Sequence, residues 1–133
     1  MNKILNQLTE NEIAEFVSIY FQKNDYTVKK LEGFLVAFKQ GNSKCCIVVK
    51  GGASNIKGTK KYKKPFNNNQ IKQNIGVALL KSFQIKEIED IKVFIAVPDE
   101  INYCEIYETI KNILVKTDIK FLFVKHDGSV EEK

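Results

Sequence analysis

Arginine is absent from this chain of 133 residues, so each of its 21 basic side chains is a lysine. The chain therefore lacks the planar guanidinium that reads guanine or binds one phosphate through two parallel hydrogen bonds. Histidine occurs once, as His126, which supports neither a catalytic histidine dyad nor a histidine-based metal site. No Walker or G-x-G-x-x-G motif is present, because KGTKKYKK lacks the G-K-[ST] ending.

Cysteines are few, and long apolar runs are missing. Cys45 and Cys46 are neighbours on a predicted strand, where their side chains point to opposite faces, and Cys104 is distant in sequence. This spacing suits neither a disulfide framework nor a C-x-x-C metal knuckle, so we expect three small buried side chains in a reducing cytoplasm. The absence of a run of about 18 apolar residues and of an apolar leader predicts no membrane span, no signal peptide and a cytoplasmic location.

Acidic residues are missing from residues 33–86, a stretch that contains eleven lysines. The remainder of the chain contains ten lysines and all sixteen acids. Such an asymmetry points to an anionic partner. A lysine-rich surface that contacts only water is the alternative interpretation.

Hydrophobic periodicity predicts one domain over residues 1–133. Thr9 and Glu12 form a capping-box pattern ahead of an amphipathic helix, and Asn68 or Asn69 is the expected cap of a second helix. The predicted order α-β-β-β-α-β-α-β indicates a three-layer α/β sandwich with a mixed sheet. The predicted strands cover residues 26–31, 34–39, 44–49, 91–97 and 119–124, the later helices cover residues 68–83 and 101–117, and residues 126–133 are a polar tail.

The stretch IVVKGGASNIKGTKKYKKPF, residues 47–66, ends an apolar strand at Lys50 and continues with glycines and lysines. Together with the order of elements, it resembles the restriction-endonuclease-like, or PD-(D/E)XK, nuclease superfamily, and within it a group of small bacterial nuclease-like proteins. The resemblance implies an αβββαβ core extended by a further helix and strand. It also implies a metal site in which an Asp on one strand and a Glu-x-Lys on the next direct their side chains to one point.

On this resemblance Lys50 takes the position of the catalytic lysine. Val48 stands at the glutamate position, and Phe34 or Gly33 at the aspartate position, so both carboxylates are missing. Lys50 is then the remnant of a site that binds no metal, and no cofactor is expected. Mg²⁺ or Mn²⁺ would be needed only if other carboxylates replace the missing pair and the chain is an active nuclease.

Three acids are candidates for that replacement and therefore for a catalytic role: Glu12 and Glu15 on the first helix, and Glu32 just before the second strand. Each also has an ordinary structural interpretation. Glu12 completes the capping box, Glu15 occupies an exposed helix face, and Glu32 lies in a turn.

The residues around and after Lys50 predict a nucleic-acid-binding surface. Lysines make sequence-independent phosphate contacts, aromatic rings stack on unpaired bases, and glycines allow close backbone approach. Two amides one helical turn apart at the start of the second helix can donate to phosphates, or be ordinary exposed amides, and Phe66 is expected to plug the loop from below. The candidate binding residues are Lys50, Gly51, Gly52, Ser54, Lys57, Lys60, Lys61, Tyr62, Lys63, Lys64, Gln70 and Asn74.

Three functions are compatible with these patterns. The leading hypothesis is a domain that binds DNA or RNA, with DNA preferred, and has a nuclease-like fold with a degenerate, inactive metal site. The second is an active Mg²⁺- or Mn²⁺-dependent endonuclease with relocated carboxylates. The third is a protein-binding module of immunity or inhibitor type, whose basic face contacts an acidic protein. None of the three involves a membrane.

Overall fold

The computed structural model describes residues 7–41, 43–53 and 65–133. These residues form three α-helices, one short 3-10 helix and one six-stranded sheet, and no helix among them is both long and apolar enough to cross a membrane. The helices are α1 (Glu10–Lys23), α2 (Asn68–Ile88) and α3 (Ile101–Leu114), with the 3-10 helix at Val115–Thr117. The strands are β1 (Thr27–Leu31), β2 (Phe34–Lys39), β3 (Ser43–Val49), β4 (Lys92–Pro98), β5 (Ile119–Val124) and β6 (Val130–Glu132).

The strands are ordered β1-β2-β3-β4-β5-β6 across the sheet. β3, β4 and β5 run parallel and are connected through α2 and α3, whereas β1, β2 and β6 pair antiparallel with their neighbours. Helices cover both faces, because the central strands are apolar on both sides and must be buried on both. The predicted three-layer α/β sandwich with a mixed sheet is therefore confirmed.

Each face of the sheet has its own hydrophobic core. On one face, α1 packs through Val17 against Leu35 and Ile47. On the other face, α2 and α3 pack through residues such as Ile75 against Val48. Because side chains alternate along a strand, consecutive residues of β3 belong to different cores.

The two adjacent cysteines follow this alternation. Cys45 belongs to the α1 core and Cys46 to the α2–α3 core, and both are buried, as predicted. Burial raises the pKa of the Cys45 thiol to about 11. Cys104 is only partly buried, and its thiol donates to the Asp99 carboxylate across 3.4 Å, so the expectation of three buried cysteines is wrong for this one.

The capping box at the start of α1 is confirmed. The Thr9 N–H donates to the Glu12 carboxylate at 2.9 Å, and the Glu12 N–H donates to the Thr9 hydroxyl at 3.3 Å. The two side chains thus satisfy N–H groups that have no partner inside the helix.

The second helix begins at Asn68, as predicted, but its cap and its end differ from the prediction. Its cap is Asn67 rather than Asn68 or Asn69, because Gln70 three residues later completes a second capping box: the Asn67 N–H donates to the Gln70 amide oxygen at 2.8 Å. The helix continues to Ile88 rather than to residue 83, since Ile85 still packs against the core.

The predicted polar tail is wrong for its last part, which forms the edge strand β6. A turn precedes it, in which Gly128 has a φ of +90° and Asp127 accepts from the Ser129 N–H at 2.9 Å. Val124 then pairs with Val130, which packs against the α1 core. One apolar residue in a strand this short is too weak a pattern to be recognised from sequence.

Candidate functional site

Lys50 lies directly after β3, at the edge of the sheet where the parallel strands β3 and β4 end. Its N–H donates to the Ala96 carbonyl oxygen at 2.9 Å, so the residue continues the register with β4. The residue is neither fully buried nor fully exposed. Open α/β sheets bind ligands at the carboxyl ends of their parallel strands. We therefore take this edge, called the carboxyl edge below, as the candidate functional site.

Gly51 is buried against the protein's own backbone, and Gly52 is buried against the side chains of Gln7 and Pro98. A Cβ atom on Gly51 would overlap the Glu10 nitrogen and lie 2.8 Å from the Thr9 carbonyl carbon. The Gly52 N–H donates to the Leu8 carbonyl oxygen at 2.8 Å. The glycines thus allow the segment that leads into α1 to cross the end of β3. Their role here is structural, whereas the sequence had suggested close approach to a phosphate.

A buried tyrosine holds this glycine segment from the opposite face. Tyr103, on α3, is fully buried, and its hydroxyl donates to the Gly51 carbonyl oxygen at 2.7 Å. The Asn74 amide, on α2, donates to the Tyr103 hydroxyl at 3.1 Å and lies 3.5 Å from the same carbonyl oxygen. Burial raises the pKa of the Tyr103 hydroxyl far above its usual range, which keeps the hydroxyl protonated and able to donate.

The two amides predicted to reach phosphates both make hydrogen bonds within the protein, Gln70 at the surface and Asn74 toward the interior. Gln70 accepts from the Asn67 N–H as part of the helix cap, and Asn74 points inward to Tyr103. The role of Tyr103 was not predicted from the sequence. The available signal was a tyrosine on the inward face of a predicted helix, since a buried hydroxyl needs a hydrogen-bond partner.

The positions that the resemblance assigns to metal-binding carboxylates are occupied by core side chains. Phe34 and Val48 pair across β2 and β3, and both belong to the α2–α3 core, where Val48 is 1% exposed. The Lys81 ammonium lies 5.0 Å above the Phe34 ring, and Gly33 is in a turn with a φ of +81°. These residues do not fit a divalent metal, which requires oxygen ligands. Among the described residues, no group of three or more His, Cys, Asp or Glu side chains is placed to hold a metal ion.

The three proposed replacement acids have the structural positions predicted as alternatives. Glu12 caps α1, as described above. Glu15 is exposed on α1, beside a shallow groove that also contains Lys30. Glu32 is exposed in the turn between β1 and β2.

The charge of Lys50 acts on the carboxylate of Glu10, an acid that was not among the candidates from the sequence. Glu10 is half-buried in the first turn of α1, where it follows the segment that crosses Gly51. Burial raises the pKa of the Glu10 carboxyl, and the charges of Lys50 and Lys30 oppose this rise without cancelling it. The Glu10 charge also contributes to the raised pKa of Tyr103. Residues 33–86 contain no acid, and Glu10, which is distant from Lys50 in sequence, comes within reach of its charge in the folded chain.

As the pH rises from about 4 through the raised pKa of Glu10, the wild type is expected to lose stability. The loss is measured as the free energy of unfolding of the wild type minus that of Glu10→Gln. The folded state binds the Glu10 proton more tightly than the unfolded chain does, so ionisation of Glu10 costs folded-state stability. Urea denaturation of both proteins between about pH 4 and pH 7 measures the difference. Glu15→Gln, which removes an exposed carboxylate from the same helix, is the control. Parallel pH curves for the wild type and Glu10→Gln would show that burial of Glu10 has no energetic effect.

The lysines of residues 33–86 do not form one surface in the described part of the chain. Lys44 is at the opposite end of β3 from Lys50 and pairs with Glu89 at 3.1 Å. Lys86 donates to the Ile91 carbonyl oxygen at 2.9 Å. Lys72, near the start of α2, is exposed on the side of the sheet where Lys50 lies. The predicted contacts Ser54, Lys57, Lys60, Lys61, Tyr62, Lys63 and Lys64 lie outside the described residues.

Phe66, predicted to plug the loop from below, is partly buried against the α2–α3 core. Its N–H donates to the Gly52 carbonyl oxygen at 2.8 Å. The chain therefore returns to the carboxyl edge at Phe66, directly before the Asn67 cap of α2.

Comparisons with known proteins give no match to this chain among protein-family models, curated proteins or solved structures. The candidate site is therefore defined by the contacts described above, and the restriction-endonuclease-like resemblance stays a prediction.

Proposed function

We propose that this protein is a nucleic-acid-binding domain of restriction-endonuclease-like fold whose metal site has degenerated. The proposal rests on two features of the carboxyl edge: a lysine is present there, and the carboxylates that would bind a metal beside it are missing. Lys50 emerges at the end of β3, while Val48 and Phe34, at the two family carboxylate positions, are part of the hydrophobic core. A lysine without metal-binding carboxylates can contact a phosphate but has no divalent ion to activate water.

The order of elements supports the family part of the proposal. The order α1-β1-β2-β3-α2-β4 agrees with an αβββαβ core, and α3 and β5 extend it by one helix and one strand. Lys50 then follows the third strand, at the position of the family lysine. A cytoplasmic location belongs to the same proposal.

The electrostatics of the carboxyl edge support an anionic ligand. α3 begins shortly after the end of β4, α2 begins shortly after Phe66, whose N–H donates to the Gly52 carbonyl oxygen, and α1 begins where Thr9 bridges to Ala53. The starts of three helices therefore face this side. The N-terminus of a helix carries a partial positive charge that favours an anion. Lys50 and Lys72 add full charges there.

We expect binding to a fluorescein-labelled DNA oligonucleotide, single-stranded or duplex, to weaken steeply with salt. Lys50→Gln should make the slope of log K against log[KCl] less negative by about 0.7 to 0.9, because one phosphate contact is lost. Fluorescence anisotropy between about 50 and 200 mM KCl measures this slope. The control is Lys116→Gln, which removes an exposed lysine from the 3-10 helix after α3.

Two results would contradict the proposal. Equal slopes for the wild type and Lys50→Gln would remove Lys50 from the interface. An absence of DNA and RNA binding, together with a tight complex with an acidic protein, would establish the protein-binding function instead.

The second candidate function, a metal-dependent nuclease, is favoured by one observation: Glu10 is a half-buried carboxylate that interacts with Lys50. Cleavage of the same oligonucleotide with Mg²⁺ or Mn²⁺, retained in Glu15→Gln but lost in both Glu10→Gln and Lys50→Gln, would establish this function and overturn the degenerate-site proposal. We rank it second because the acids that follow β4 at this edge have other partners: Asp99 accepts from the Cys104 thiol, and Glu100 caps α3 through the Tyr103 N–H. In the part of the chain that the structure describes, no group of three or more His, Cys, Asp or Glu side chains is placed to hold a metal ion.

A further inference from the structure

A large cavity lies at the opposite end of the sheet from Lys50, around the end of the β2–β3 hairpin. Its volume is about 1250 Å³, above the range of about 300 to 1,000 Å³ that is usual for small-molecule sites. It extends over both faces of the sheet. The part on the α1 face, called the hairpin cavity below, is lined by the end of α1, the end of β2 and the start of β4.

Aromatic rings form the floor of the hairpin cavity. Phe21 contacts the Tyr20, Tyr26 and Phe94 rings edge-on, with centroid distances of 5.4, 5.2 and 5.7 Å. Phe21 and Phe94 are buried, whereas Tyr20 and Tyr26 are partly exposed to the cavity. A planar group can therefore pack against the two tyrosines.

Two ammonium groups lie above this floor. The Lys39 ammonium is 4.8 Å from the centroid of the Tyr26 ring, and the Lys92 ammonium is 5.2 Å from that of the Phe94 ring. Their strands, β2 and β4, flank β3, so their backbones are about 10 Å apart. Contact with the ring faces holds each ammonium in place.

The acids that line the cavity do not neutralise these two lysines. Glu89 pairs with Lys44 at 3.1 Å, and Glu132 pairs with Lys120 at 3.2 Å. Asp90 is exposed in the connection between α2 and β4. Within the described residues, no carboxylate lies within ion-pair distance of Lys39 or Lys92.

We propose that the hairpin cavity binds a nucleoside polyphosphate, with the phosphates between Lys39 and Lys92 and the base against Tyr20 and Tyr26. The separation of the two cations suits a chain of phosphates rather than a single one. The aromatic floor accounts for a planar ring on the same ligand. This site is separate from the carboxyl edge and does not depend on the function proposed there.

The test is isothermal titration calorimetry of the full chain with ATP, tripolyphosphate and adenosine, in the absence of divalent ions. We expect saturable ATP binding, and we expect tripolyphosphate and adenosine each to bind at least about tenfold more weakly, because each lacks one of the two sets of contacts. Lys39→Gln and Lys92→Gln should each weaken ATP binding about tenfold. Lys39→Arg should restore most of the affinity, since it keeps the charge.

Lys116→Gln is the matched control, because it removes one exposed ammonium outside the hairpin cavity. Lys50→Gln tests whether ATP binds at the carboxyl edge instead. Unchanged ATP affinity in both supports the proposal. It is overturned if ATP fails to bind, if Lys39→Gln and Lys92→Gln bind it as the wild type does, or if Lys50→Gln weakens it equally. Tripolyphosphate binding as tight as ATP binding would overturn the assignment of a nucleoside.

Discussion

Gly51→Ala is expected to destabilise the protein by about 3 kcal/mol or more, and to prevent folding if the wild type is only marginally stable. The added methyl group would overlap the Glu10 nitrogen and lie 2.8 Å from the Thr9 carbonyl carbon, and both are backbone atoms. Backbone at the start of a capped helix cannot rotate away as the end of a flexible side chain can. The segment before α1 would have to separate from the end of β3, which would also strain the hydrogen bond from Gly52 to Leu8.

Gly76→Ala is the matched control for Gly51→Ala. Gly76 is exposed on α2, and a Cβ atom there would have no neighbour within 4 Å. Alanine in the middle of a helix is expected to stabilise the protein by about 0.5 to 1 kcal/mol. Urea denaturation of both variants measures the two changes. Similar free energies of unfolding for Gly51→Ala and the wild type would show that α1 does not approach β3 as closely as described.

Tyr103→Phe is expected to lower the free energy of unfolding by about 2 kcal/mol. The substitution leaves the ring in the core but removes the hydroxyl that donates to the Gly51 carbonyl oxygen at 2.7 Å. That carbonyl oxygen would retain only the 3.5 Å approach of the Asn74 amide, and the amide would lose its acceptor at 3.1 Å. Buried polar groups without partners cost more than the net gain from one hydrogen bond.

Tyr107→Phe is the control for Tyr103→Phe. The Tyr107 ring also packs on the α2–α3 core, 5.2 Å from the Phe121 ring, and its hydroxyl has no hydrogen-bond partner among the described residues. We expect a change within about 0.5 kcal/mol for this variant. Thermal and urea denaturation of both variants measure the difference. If both lose the same stability, the hydrogen bonds of Tyr103 contribute nothing specific.

Sequence patterns predicted the fold well because local periodicity determines most of it. The apolar runs at residues 34–39 and 119–124 coincide with β2 and β5, and the Thr9–Glu12 capping box is present. The predictions were wrong where a strand was too short to show an apolar pattern, and where several neighbouring residues were equally suitable as a helix cap. β6 has a single apolar residue that packs on the core, and Asn67, Asn68 and Asn69 are equally good helix caps until Gln70 is taken into account.

The candidate site was harder to predict because its partners are distant in sequence. Lys50 was placed correctly at the end of a strand, but its charge acts on Glu10 only because α1 begins beside the end of β3. Asn74 and Tyr103 meet at Gly51 only after α2 and α3 have packed on the same face of the sheet. No spacing along the chain encodes these contacts, since each depends on long-range docking.

The Gly51 carbonyl group is held by α2 and α3 together, and the same residue touches the start of α1. Elements from both outer layers therefore share one peptide unit, immediately after Lys50. A ligand that moves this peptide by a fraction of an ångström would therefore change the contacts of α1 in one layer and of α2 and α3 in the other. Native-state hydrogen exchange should then slow in concert at the first turns of all three helices when the carboxyl edge is occupied, as expected of a single cooperative opening unit.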